Sequence, residues 1–371
     1  MSGPKPKART GVPGLDDILL GGLAAGRLFL LEGSPGTGKT TMALSFLIEG
    51  VKLGERGLYV TFSETERELR AGATSHGWDL GAAIDIFEIV PPESLLDSSQ
   101  QQSLLYSSDL ELGETTKLIF DAVERSKAQR VVVDSLSELR LLAQSSLRYR
   151  RQILALKEFF AGRETTVLLL DDHSGGEADR QLQSLAHGVI LLEQLPFEYG
   201  RARRRIRIVK FRGVAAVEGF HDFAIRRGGI TVFPQLRVRT NSDVRVPQEP
   251  LTSGLSELDQ LLGGGLSWGS STLIIGPAGT GKSTLASQYI YADGVRSAAF
   301  LFDERRASFV ARSDAIGMRM TEHVAAGAVS VDQIEPGELS PGEFSYRVRD
   351  AVEGGARLIY IDSVNGYLNA I

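Results

Sequence analysis

The 371-residue sequence contains no cysteine, which excludes disulfides and thiolate metal sites together. Its five histidines, His76, His173, His187, His221 and His323, never fall at i, i+3 or i+4, so no helical pair is available for structural zinc. No run of about eighteen apolar residues occurs. The opening "MSGPKPKART" is basic and proline-containing but lacks the apolar segment of a signal peptide. These absences point to a cytoplasmic protein with no membrane partner. A large positive charge is missing too: the net charge of −5 argues against a surface devoted to nucleic acid, although it leaves room for a local basic groove. Apolar residues at 42% and charged residues at 23% are ordinary for a globular chain. The length exceeds what one hydrophobic core usually serves, so two domains are expected.

What is present is a repeat. The stretch "GVPGLDDILLGGLAAGRLFLLEGSPGTGKTTM" from Gly11 lies over "GLSELDQLLGGGLSWGSSTLIIGPAGTGKSTL" from Gly254 without a gap and with roughly half identities, far above chance for average composition. In each copy an apolar run ("LFLLE", "TLII") leads into a glycine loop and then a helical pattern, an order of strand, loop and helix. The runs "GLYVTF" and "AAFLF" read as buried strands. Amphipathic helices follow, with Leu118, Ile119, Ala122 and Val123 on one face in the first copy and Phe344, Val348, Ala351 and Val352 in the second. Apolar strands "RVVVDS" and "RLIYIDS" then end in Asp-Ser. Only the first copy continues, through a helix from Leu147 to Phe160, a strand "TTVLLL", a helix "RQLQSLA", a strand "GVILLEQ" and three antiparallel strands in "RIRIVKFRG", "FHDFAI" and "GGITVF". Residues 91–114 read as a long polar loop. The expected fold is α/β, with a mostly parallel sheet covered by helices on both faces.

The glycine loops carry the chemistry. Gly33, Ser34, Pro35, Gly36, Thr37, Gly38, Lys39, Thr40 and Thr41 fit G-x-x-x-x-G-K-[ST], as do Gly276, Pro277, Ala278, Gly279, Thr280, Gly281, Lys282, Ser283 and Thr284. Backbone N–H groups and a helix N-terminus cradle phosphates, the lysine reaches the β- and γ-phosphates, and the Thr40 or Ser283 hydroxyl ligates Mg2+. Asp134 and Asp362 end strands at matching places, where a carboxylate serves the magnesium shell. Hydrolysis of a nucleoside triphosphate also needs a carboxylate to orient water. "TFSET" supplies Glu64 and "LFDER" supplies Asp303 and Glu304, with Asp171 after "TTVLLL" as the alternative base. The basic run "RARRRIRIVKFRG" is compatible with an exposed strand face, with nucleic-acid contact, or with Lys210 and Arg212 acting as cationic fingers from one face toward a neighbour's γ-phosphate.

Taken together, "GLDDILLGGL", "GSPGTGKTT", "YVTFSET" with the downstream "GWDL", "VVVDS", and "KFRG" followed by "GITVFP" resemble the KaiC-like ATPases of the RecA/RadA-like P-loop class. The resemblance covers residues 10–238 as a complete domain and 251–371 as an incomplete one, with a basic tail (1–9) and a linker (239–250). It implies homo-hexameric double rings with ATP between subunits, Lys210 and Arg212 as the trans-acting pair, Glu64, Lys39 and Glu304 as catalytic groups, and a regulatory or timing role toward a signalling protein partner. The family usually places two adjacent glutamates after the second strand; here the first copy has Ser63 and Glu64. Serine/threonine autokinase activity is also implied, but at positions past Ile371. A DNA-dependent recombinase-like or helicase-like motor of the same fold is the alternative reading. The second copy lacks counterparts of "TTVLLL" and "GVILLEQ", so its "TLII" strand is expected to lose both neighbours.

Overall fold

Strands β1 (Lys7–Ala8) and β2 (Leu23–Ala24) form a small antiparallel pair, so part of the basic tail is ordered; Lys7 Nζ donates to the carbonyls of Leu19 and Leu20 at 2.8 and 2.7 Å. Beyond them β3 (Leu28–Gly33) is buried at every position, as a strand enclosed on both faces must be. The structure is a computed structural model that describes residues 6–89, 104–172, 182–196, 200–236, 249–291, 295–335 and 337–369, with the backbone alone for 104–111 and 369. The chain divides into two compact units, the first closing at Gln235 and the main body of the second opening at Leu236. Of the linker 239–250, only Glu249 and Pro250 lie among the described residues.

In the first unit, β4 (Gly57–Thr61), β5 (Ile84–Glu88), β6 (Arg130–Asp134), β7 (Thr166–Asp171), β8 (Gly188–Leu195), β9 (Arg203–Phe211), β10 (Phe220–Arg226) and β11 (Gly229–Phe233) join β3 in one nine-stranded sheet. Its order is β11-β10-β9-β8-β3-β7-β6-β4-β5. The six strands from β8 to β5 are parallel, and β9, β10 and β11 add antiparallel at one edge. The strands "TTVLLL" and "GVILLEQ" therefore flank the loop strand on either side, and "VVVDS" neighbours "GLYVTF". This is a RecA-like P-loop α/β fold. One face of the sheet packs under the helix Lys39–Lys52 through Met42, Phe46 and Leu47; the other packs under helices Leu104–Ser126, Leu136–Ala143 and Ser146–Ala161 through Ile119, Leu139 and Leu156. Arg130, 1% exposed at the start of β6, is held by Glu55 and by the carbonyls of Arg9 and Phe46 at 2.6 and 2.7 Å.

One extra residue interrupts β9. Val189 opposes Lys210 and Ile190 opposes Ile208, so Val209 bulges out of the ladder.

Two expectations need correction. Residues 91–114 are not a loop throughout: a helix starts at Leu104 and runs to Ser126, while 91–103 lie outside the described residues. Tertiary packing of Leu112, Ile119 and Val123 outweighs the Ser-rich composition that argued for a loop. The second correction is in the second unit, whose sheet among the described residues consists of β12 (Ser297–Leu301), β13 (Val329–Gln333) and β14 (Leu358–Asp362), in the order β13-β12-β14. The "TLII" segment forms no strand, and Leu273 and Ile275 are 67% and 84% exposed. A strand exists by its ladder, and neither flanking partner is present among the described residues.

Candidate nucleotide site

Each glycine loop folds on itself in the same way. Thr37 Oγ1 donates to the Ser34 carbonyl at 2.8 Å, and Thr280 Oγ1 to the Pro277 carbonyl at 2.9 Å. What lies behind the loops differs. Gly38 sits at φ 104°, and a Cβ there would stand 2.6 Å from Ile225 Cδ1 of β10, so the antiparallel hairpin closes against the first loop as tightly as only glycine allows. Gly281 has nothing within 4 Å of the equivalent point. The hairpin is itself clamped: a Cβ on Gly229 would stand 2.2 Å from Trp78, and the Gly228 N–H donates to the His76 carbonyl at 2.9 Å. The "GWDL" and "GITVF" motifs, far apart in sequence, thus meet beside the loop.

Lys39 is 9% exposed; its ammonium donates to the Gly33 and Ser34 carbonyls at 2.6 and 3.2 Å and to Asp172 Oδ1 at 2.8 Å. Thr40 Oγ1 lies 3.4 Å from Asp134 Oδ2, which also accepts from the Tyr59 hydroxyl of the adjacent strand. Burial raises the Asp134 pKa, while the Tyr59 hydrogen bond and the Lys39 charge work against that rise. A desolvated carboxylate beside a hydroxyl is a hard oxygen pair of the kind that holds Mg2+ together with phosphate oxygens and water, so the residues present fit Mg–ATP. Glu64 follows β4, its backbone tied to Thr61 Oγ1 by bonds of 2.8 and 3.0 Å. Its side chain is solvent-exposed on one flank, yet desolvation on the protein side, followed by repulsion from Asp134 and Glu68, raises its pKa.

In the second unit Lys282 donates to the Pro277 carbonyl at 2.8 Å and Ser283 Oγ to Asp362 Oδ2 at 2.8 Å. Glu304 is held by Arg312 in a two-pronged ion pair at 2.9 and 3.2 Å, and Asp303 accepts from Ser363. Among the described residues Glu64 has no such clamp: the position corresponding to Arg312 is Gly72. Lys210 Nζ donates to the carbonyls of Gln183 and Ser184 at 2.6 and 3.1 Å, and Arg212 joins it on Ser184 at 2.8 Å. Burial, then the charges of Arg212 and Lys157, lowers the Lys210 pKa. Asp171, the alternative base, is fully buried and accepts from Ser137 and Arg140, which takes it out of reach of a reacting water.

Sequence reasoning missed Asp172, Tyr59 and Arg312. The doubled aspartate in "LLLDDH" was the available signal for Asp172. The two tyrosines serve equivalent aspartates from different strands: Tyr59 lies across from Val132, whereas Tyr360, across from Ala299, reaches Asp362 from within β14. Because such outer hydroxyls set ligand orientation, Tyr59→Phe is expected to raise the Mg2+ concentration for half-maximal ATP turnover about tenfold. A metal titration of turnover checks this; an unchanged midpoint would remove Tyr59 from the positioning of Asp134.

Comparison with known proteins agrees with this geometry. The sequence model of the family described as "ATPase: KaiC" matches residues 8–237 and 251–370. The circadian clock oscillator protein KaiC of Parathermosynechococcus lividus is 33% identical over 338 residues, covering 88% of this chain and 61% of the relative. That of Synechococcus elongatus is 31% identical over 327 residues, covering 85% and 61%. The chain thus spans about 61% of the length of these relatives. No helix among the described residues is long and apolar enough to cross a membrane. With its loop, strand-end aspartate and flanking strands all in the places the family match covers, the chain belongs to the KaiC family of ATPases.

Proposed function

We propose that this chain binds and hydrolyses Mg–ATP at its first glycine loop as one subunit of a homo-hexameric ring, and that turnover serves as a regulatory switch or timer for a signalling protein in the cytoplasm. In this reading residues 10–238 and 251–371 are two ATPase domains, the second incomplete. Lys39 holds the β- and γ-phosphates, Thr40 and Asp134 serve the metal, and Glu64 orients and deprotonates the attacking water. The metal's own contribution when bound is to neutralise charge that develops on the phosphates. No autokinase role is assigned to the residues present.

The observation that carries the ring is where Lys210 lies. Val189, its ladder partner, packs in the core on the face covered by Leu156 and Leu139, whereas the helix that follows the first loop covers the other face. Lys210 and Arg212 thus sit across the sheet from their own Lys39, and a trans role for them requires a neighbouring subunit. The basic strand gives the DNA-motor reading little support, because Arg203 pairs with Asp222 at 2.8 Å and Arg205 with Glu193 at 2.5 Å. ATP bound at such an interface stabilises the assembled form by mass action. The expected result is a hexamer-sized particle with Mg–ATP and smaller species without it at micromolar protein, read by light scattering. A monomer under both conditions would overturn the ring.

A further inference from the structure

The end of β7 carries two consecutive aspartates with different surroundings. Asp171 is buried against Arg140 and Ser137. The Asp172 side chain is 45% exposed and pairs with Lys39 at 2.8 Å. Ser137 anchors its backbone: Ser137 Oγ accepts the Asp172 main-chain N–H at 3.3 Å while giving its own proton to Asp171 Oδ1 at 2.9 Å, and it lies 3.4 Å from Asp172 Oδ2. The other two acceptors of the Lys39 ammonium are neutral carbonyls of the loop itself. Lys39 is deeply buried, so its ammonium has little freedom to withdraw from this carboxylate when phosphate oxygens approach. In the second unit Lys282 has a carbonyl as its hydrogen-bond acceptor and no acidic partner within 4.0 Å among the described residues.

We infer that Asp172 is a specificity-determining residue of the first loop, competing with phosphate for Lys39 and disfavouring a nucleoside triphosphate more than a diphosphate. The inference rests on the proposal that this loop binds nucleotide. A carboxylate beside the ammonium cancels part of the attraction that the lysine offers. Its repulsion grows with the charge that arrives, and the γ-phosphate adds charge where the lysine reaches. ADP therefore loses less affinity than ATP, and occupancy of the loop by ATP becomes sensitive to the ratio of the two nucleotides.

The test uses the full chain with Mg2+ at fixed ionic strength, titrated with ATP and separately with ADP by calorimetry. Asp172→Asn and Asp172→Ser are both expected to tighten ATP on the order of tenfold and ADP by less, with the difference shrinking as salt is added. Ser137→Ala, which loosens the carboxylate without removing it, should fall between wild type and these variants. Circular dichroism melts identify folded protein, and two substitutions at a half-exposed position guard against loss of either one. ATP affinity that is unchanged or weaker in the folded variants overturns the inference, as does equal tightening of ATP and ADP. ATP binding by wild type with no change in the variants overturns the role of Asp172 alone; no nucleotide binding in any of them overturns the nucleotide reading as well.

Discussion

Lys39→Ala is expected to abolish nucleotide binding at the first loop and with it essentially all ATP turnover, whereas Lys282→Ala leaves turnover near the wild-type rate. The two loops share their motif and their internal threonine bond, so the difference lies in their support. β3 has hydrogen-bonded neighbours on both sides and ends in a loop pressed by Ile225. Its counterpart, residues 271–276, has no ladder, and two of its large apolar side chains face solvent. A segment with no ladder hydrogen bonds is not fixed by neighbouring strands, so the second loop is expected to lack the fixed geometry that phosphate transfer requires. Its carboxylate Glu304 is also engaged by Arg312. Steady-state ATPase assays on the two single variants decide the matter. Silencing by Lys282→Ala would mean that the second unit does the chemistry.

Glu64→Gln should leave ATP binding intact and lower turnover by about 10²–10⁴-fold, the usual contribution of a general base. The pH profile gives an independent readout. A base acts in its ionised form, and the Glu64 pKa is raised by desolvation and by Asp134 and Glu68, so turnover should fall with acid starting at a higher pH than an ordinary glutamate would give. At pH values above that limb the rate should be flat. The residual activity of Glu64→Gln should lack the limb. Wild-type turnover in the glutamine variant, or an unchanged acid limb, removes Glu64 from the role.

Much of the first unit was legible because its strands are short apolar runs whose order is constrained by right-handed crossovers. "LFLLE", "TTVLLL" and "GVILLEQ" each hold an unbroken run of four apolar residues with polar ones only at the ends, and they landed side by side. β5 and β13 were not legible, because "IDIFE" and "VSVDQ" mix polar and apolar residues at the sheet edge, where one side needs no ladder partner. "TLII" shows the converse: an apolar run becomes a strand only where a ladder partner lies beside it. In the site, residues of the loop motifs were readable from spacing within a few positions. The pairing of Lys39 with Asp172 spans 133 residues and that of Tyr59 with Asp134 spans 75, and both depend on which strand ends lie adjacent. No local period encodes that.

The extra residue at Val209 acts as a parity switch. Along an unbroken strand Arg203, Arg205 and Arg207 share one side, and Ile206, Ile208 and residue 210 the other. Inserting one position before Lys210 inverts the count, so Phe211 takes the place in line with Ile206 and Ile208 against Phe29, and Lys210 and Arg212 emerge on the arginine side. Spacing alone states that Lys210 and Arg212 agree with each other; the bulge decides which half of the molecule they address. A strand one residue shorter would have the same composition of charges and aim the pair into the layer that carries its own loop helix, so the division between giving and receiving subunits in the proposed ring is written as an odd number rather than as a residue type.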